Sequence, residues 1–69
     1  MKYRIYPDLI GEMARRGDTL ETLANLLGLT VSSIWRRFSG KKDWTIGEVE
    51  KICEHYGKGY YELFKKNGE

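Results

Sequence analysis

Cysteine, histidine and proline each occur once in the 69 residues of this chain, and no apolar run approaches the roughly 18 residues that a membrane span requires. Each scarcity closes a class of function. A lone cysteine forms no internal disulfide, and Cys53 with His55 is too small a donor set for a protein-only zinc site. The opening MKYRIYPDL lacks the apolar stretch of a signal peptide, so the reducing cytoplasm is the expected location. There is no Gly-rich phosphate loop ahead of a helix, no metal-ligand cluster, and no nucleophile with a base at useful spacing. A binding protein without metal or cofactor is expected, not an enzyme.

An excess of one charge is missing too, since 12 Lys and Arg against 10 Asp and Glu leave a net +2. The charge is nevertheless unevenly placed. Residues 1–42 carry +4 and residues 43–69 carry −2, and the stretch 30–42 holds four bases (Arg36, Arg37, Lys41, Lys42) and no acid. That is the local footprint a phosphate backbone favours. The 41% apolar fraction and the aromatics (two Trp, five Tyr, two Phe) are enough for one compact core. A domain this small buries only about 60% of the surface its unfolded chain exposes, which leaves little stability to spare and no room for a second domain.

Helical spacing and cap residues run the length of the chain. Pro7 and Asp8 suit the first turn of a helix whose apolar face is Leu9, Ile10, Met13 and Ala14, with Arg15 and Arg16 complementing its end before Gly17. Asp18 or Thr19 caps a second helix to about Leu27, and Thr30 caps a third from Val31 to about Ser39, with Gly40 as its stop. Leu20, Leu23 and Leu27 repeat before the turn, and Leu29, Ile34 and Phe38 supply apolar anchors after it. Gly28 supplies the positive φ of a sharp turn. Thr45 and Glu48 form a T-x-x-E capping box, with Trp44 placed to staple onto Val49. Val49, Ile52, Cys53 and Tyr56 share one face of the fourth helix, which ends at Gly57. A short fifth helix from about Tyr60 to Lys65 offers Tyr61 and Phe64 to close the core.

The expected fold is therefore all-α, a compact bundle of four to five short helices in a single domain. Leu23-Ala24, Leu27-Gly28-Leu29-Thr30, Ser33-Ile34, Phe38 and Gly40, followed by Lys41-Lys42 and Thr45, carry a resemblance to the phage repressor class of helix-turn-helix proteins, the Cro/C1-type (XRE) family. The closing Tyr60-Tyr61-Glu62-Leu63-Phe64 is similar to the ending common there. The resemblance spans roughly residues 6 to 65, and the short length is closest to small Cro-like or prophage regulators.

The resemblance implies a sequence-specific, double-stranded DNA-binding transcriptional regulator whose third helix enters the major groove. Aligned on Gly28 and Ile34, the residues that read bases are Val31, Ser32, Trp35 and Arg36, with Ser33 at the edge. Arg36 is the strongest reader, because a guanidinium bonds both O6 and N7 of guanine. Phosphates fall to Thr19, Thr30, Ser39, Lys41 and Lys42, and Arg37 reaches a phosphate or an acidic neighbour. About 4–6 neutralised phosphates per half-site would make binding steeply salt-dependent. Such domains pair on palindromic operators, so a homodimer is expected on DNA. Its surface is either the aromatic segment Tyr56, Tyr60, Tyr61 and Phe64 or the arm at residues 1–5, where Lys2 and Arg4 are also placed to reach DNA.

Each of these residues has a plainer reading as well. Trp35 departs from the small or polar residue usual at its position, and lies along the DNA backbone, folds back on the domain, or sits in a protein interface. Cys53 reads as core packing, His55 as a solvated residue near a helix end, and Glu48, Glu50 and Glu54 as an exposed helix surface. A modest charge and an exposed tryptophan also fit a second class of function. This is a protein-interaction module on the same fold, an antirepressor or modulator of another regulator, with an antitoxin as a third option.

Overall fold

A computed structural model describes residues 6–65 as an all-α domain, with no strand among them. Its five helices are α1 (Pro7–Arg15), α2 (Leu20–Leu27), α3 (Val31–Phe38), α4 (Ile46–Tyr56) and α5 (Tyr60–Leu63). The arm at residues 1–5, with Lys2 and Arg4, lies outside the described residues. Leu9, Leu23, Ile34, Phe38 and Ile52 are fully buried, so α1 to α4 each place at least one side chain at the centre.

Local chemistry accounts for the helix ends. The Thr30 hydroxyl accepts from the Ser33 N–H at 3.1 Å and opens α3. Thr19, not Asp18, caps α2, in a reciprocal box with Thr22. Gly28 closes α2 at φ 70, a conformation that costs an L side chain roughly 1–2 kcal/mol. At the end of α3, Gly40 stands at φ 83, and the Lys41 N–H reaches back to the Arg36 carbonyl at 2.9 Å, the bond of a Schellman cap. That bond fixes the backbone at Lys41 relative to α3.

Several side chains depart from the expected pattern. Ala14 is exposed, whereas Glu12 is buried at 4% accessibility between Arg15 (2.7 Å) and Arg16 (2.9 Å). The two arginines thus bracket a carboxylate. Arg16 also lies over the Tyr56 ring and donates to the Tyr56 carbonyl at 3.1 Å, tying α1 to the end of α4. Phe64 closes the core as expected, but Tyr61 is 85% exposed and Leu63 takes its place. A helix of one turn has no periodicity from which to choose between them. Trp44 meets Tyr6, Phe38 and Phe64 edge-on, with ring centroids 5.6–6.5 Å apart, and so seals one end of the core.

Asp18 joins the α1–α2 turn to α4, accepting from the Tyr56 hydroxyl at 2.8 Å and pairing with His55 at 3.2 Å. His55 is therefore engaged and not merely solvated. The Tyr56 hydrogen bond, opposed by burial and aided by His55 and Arg16, holds the Asp18 carboxyl below its ordinary range. Burial pushes Glu12 up, but the Arg16 hydrogen bond and the charges of Arg15 and Lys58 outweigh it and hold it low as well. Both carboxyls bind protons more weakly folded than unfolded. Their contribution is present above the unfolded carboxylate range near pH 4 and is lost as pH falls through their folded values. The melting temperature is expected to fall steadily from pH 5 to pH 2.5, and Asp18→Asn should melt lower at pH 7 with a flatter acid limb. A wild-type melting temperature that stays level over that range would contradict this account.

Candidate nucleic-acid interface

Eight residues make α3 two-faced. Ile34, Arg37 and Phe38 face inward, and at about 100° per residue Val31, Ser32, Trp35 and Arg36 fall on the opposite arc, roughly 140° wide. Of these, Val31 is 42% exposed, Ser32 and Arg36 are exposed, and Trp35 is half-buried, as is Ser33 at the edge. Leu23 and Ala24 of α2 and the Gly28 turn support α3 from behind. The helix is short, capped at both ends and held on a core, which keeps its outward side chains in a constant frame.

Three of the four bases in 30–42 face solvent. Arg36, Lys41 and Lys42 are exposed, whereas Arg37 is buried at 3%. Its Nε and Nη2 donate to the Glu48 carboxylate at 2.9 and 3.0 Å, its Nη1 donates to the Ser33 carbonyl at 2.9 Å, and its guanidinium lies over the Trp44 ring. Arg37 therefore takes the acidic neighbour and leaves the phosphate set. The reason is geometric, since position 37 shares the inner face with 34 and 38. Glu48 is correspondingly not part of an exposed acidic surface. Burial raises its carboxyl, yet the hydrogen bonds from Arg37 and the Thr45 N–H hold it below the usual range. One carboxylate thus pins the end of α3 to the start of α4, on either side of the Lys41-Lys42 turn.

The remaining phosphate candidates differ in what they have left to offer. Thr19 and Thr30 are exposed and each hydroxyl accepts a cap bond; that of Thr30 keeps its own proton available, whereas that of Thr19 also shares a hydrogen bond with the Thr22 hydroxyl at 3.4 Å. Ser39 is half-buried and donates its hydroxyl proton to the Arg36 carbonyl at 3.1 Å, which withdraws it as a donor. Sequence reasoning missed Glu48 as the organiser of this region. An arginine spaced with Ile34 and Phe38 was the available signal, because a buried guanidinium requires a carboxylate.

Among the described residues, no group of three or more His, Cys, Asp or Glu is placed to hold a metal ion, and no helix is long and apolar enough to cross a membrane. Cys53 is half-buried against the core, and burial, with Glu62 nearby, pushes its thiol up, away from the reactive thiolate.

These features define a small all-α domain in which two short consecutive helices meet at a tight glycine turn, and the second presents a mixed face with one exposed arginine, followed by a turn with two exposed lysines. The chain belongs to the BetR domain family, whose model matches residues 10–69. No curated protein and no solved structure matches it.

Proposed function

We propose that this chain is a sequence-specific, double-stranded DNA-binding domain of a transcriptional regulator, a repressor of phage or prophage type that works in the Cro/C1-type manner. The observation that carries the reading is the division of α3: Ile34, Arg37 and Phe38 lock one side to the core, and Val31, Ser32 and Arg36 stand on the other. A helix held this way fits the major groove, where Arg36 bonds a guanine, Ser32 bonds a neighbouring base edge, and Val31 packs on a thymine methyl. Lys41 and Lys42 flank the helix for phosphates, with Thr19 and Thr30 at the helix starts. Two copies on a palindromic site, in the cytoplasm, complete the proposal.

The withdrawal of Arg37 changes the expected salt response. Lys41 and Lys42 give a dimer, with four neutralised phosphates, a log–log salt slope of about −3.6 at roughly 0.9 per phosphate. The test is a fluorescence-anisotropy titration at two salt concentrations against short duplexes, including the DNA flanking the chain's own gene. Preference for one palindromic duplex, weakened by salt, is the expected result. Weak binding that is indifferent to sequence would discard it in favour of a protein-interaction module, the reading that exposed Ile46, Tyr60 and Tyr61 support.

A further inference from the structure

Away from the outer face of α3, a groove of about 370 Å3 opens between the start of α4 and α5. Trp44, Ile46, Tyr60 and Phe64 are among its apolar lining, Asp43 and Glu50 are its acidic residues, and among the described residues no lysine or arginine lines it. Ile46 is 80% and Tyr60 54% exposed, so two large apolar side chains stand in water beside one another's groove wall. Tyr60 stacks one face on the buried Phe64 ring, with centroids 5.7 Å apart, and keeps the rest of its surface open. Four buried or half-buried rings already close this end of the domain through edge-on contacts.

We propose that this groove docks a short segment of a partner protein in which an aliphatic side chain is flanked by arginine or lysine. The aliphatic group covers Ile46 and the open side of Tyr60, and the cation faces Asp43 and Glu50 beside the aromatic rings, which attract positive charge as the carboxylates do. Charge complementarity selects this occupant. A second copy presenting the same face would set Asp43 and Glu50 against their equivalents, a like-charge contact that disfavours self-pairing. The site is independent of the α3 face and of whether that face binds DNA.

The test uses the full chain, labelled with 15N, and two capped peptides of equal length, one alternating arginine with leucine and one alternating glutamate with leucine. The Trp44 indole N–H, buried and without a hydrogen-bond acceptor among the described residues, is the reporter. The arginine–leucine peptide should give saturable shifts at that N–H and at the amides of Ile46, Glu50 and Tyr60, and the glutamate–leucine peptide should not. Ile46→Ser and Glu50→Gln, both at exposed positions, should each weaken binding roughly fivefold, the loss of one surface contact, with the rest of the spectrum intact. Absence of saturable shifts in the groove, equal response to both peptides, or a concentration-dependent dimer abolished by Ile46→Ser would each overturn the proposal.

Discussion

Glu48→Ala is expected to lower the stability of this domain by about 3–5 kcal/mol, the cost of leaving a buried charge without its partner. Arg37 is the more deeply buried member of the pair, with 4% of its side chain accessible against 15% for Glu48, and a guanidinium does not shed its proton. The orphaned cation keeps only the Ser33 carbonyl and the Trp44 ring. Total stability for a domain lies near 5–15 kcal/mol, and small domains sit at the low end, so the loss takes a large share of it. At roughly 4–8 °C per kcal/mol the melting temperature should drop by more than about 12 °C, or the cooperative transition should disappear.

The reverse truncation should cost less. Arg37→Met leaves a carboxylate that water reaches and that still accepts the Thr45 N–H at 3.1 Å. The double variant Arg37→Met with Glu48→Leu should recover much of the loss, since an apolar pair carries no desolvation penalty. Thermal melts of Arg37→Met, Glu48→Leu and the double variant close the cycle and give the coupling directly. A Glu48→Ala protein melting within a few degrees of wild type would mean that the pair is solvated and contributes little.

Arg36→Ala carries the second large effect, on recognition and not on stability. Its side chain is exposed, so the melt should stay within about 0.5 kcal/mol of wild type. On the proposed DNA reading, affinity for the preferred duplex should fall roughly 10- to 100-fold per half-site, the worth of one bidentate guanine contact in each, and discrimination should relax at one base pair of each half-site. The salt slope should be preserved, because no phosphate contact is lost. Lys41→Ala and Lys42→Ala should behave in the opposite way, weakening all duplexes alike and reducing the slope by about 1 per phosphate lost. If Arg36→Ala kept full discrimination while the lysine variants lost affinity, readout would belong to Ser32, Val31 or Trp35. If none of the three changed anything, α3 would not be the binding face.

How these side chains could be read from sequence depends on how far away their partners lie. Thr30, Thr45 and Gly28 were legible because a cap or a left-handed stop is decided within three or four residues of itself. The apolar faces of α2, α3 and α4 were legible because helical spacing repeats several times within each. Tyr61 was misjudged against Leu63 because α5 is one turn long and offers no repeat. Glu12 carries no local signal, Asp18 reads only as a cap candidate, and Arg37 reads as meeting either a phosphate or an acid, because the burial or the partner of a charged side chain is set beyond its own helix turn.

α5 ends at Leu63, short of the expected Lys65, but the sequence by itself determined the starts of α1, α3 and α4, the glycine stops at Gly28 and Gly57, the all-α class, and that Ile34 and Phe38 face the core. Those properties arise from steric preference, capping hydrogen bonds and apolar periodicity, all of them local. Tertiary structure alone decided that Arg37 belongs to Glu48, 11 residues on, and that Asp18 is held by Tyr56, 38 residues away. It likewise decided that Ile46 and Tyr60 share a groove lined by two carboxylates. Such pairings are set by which helices pack together, and no local preference encodes that choice.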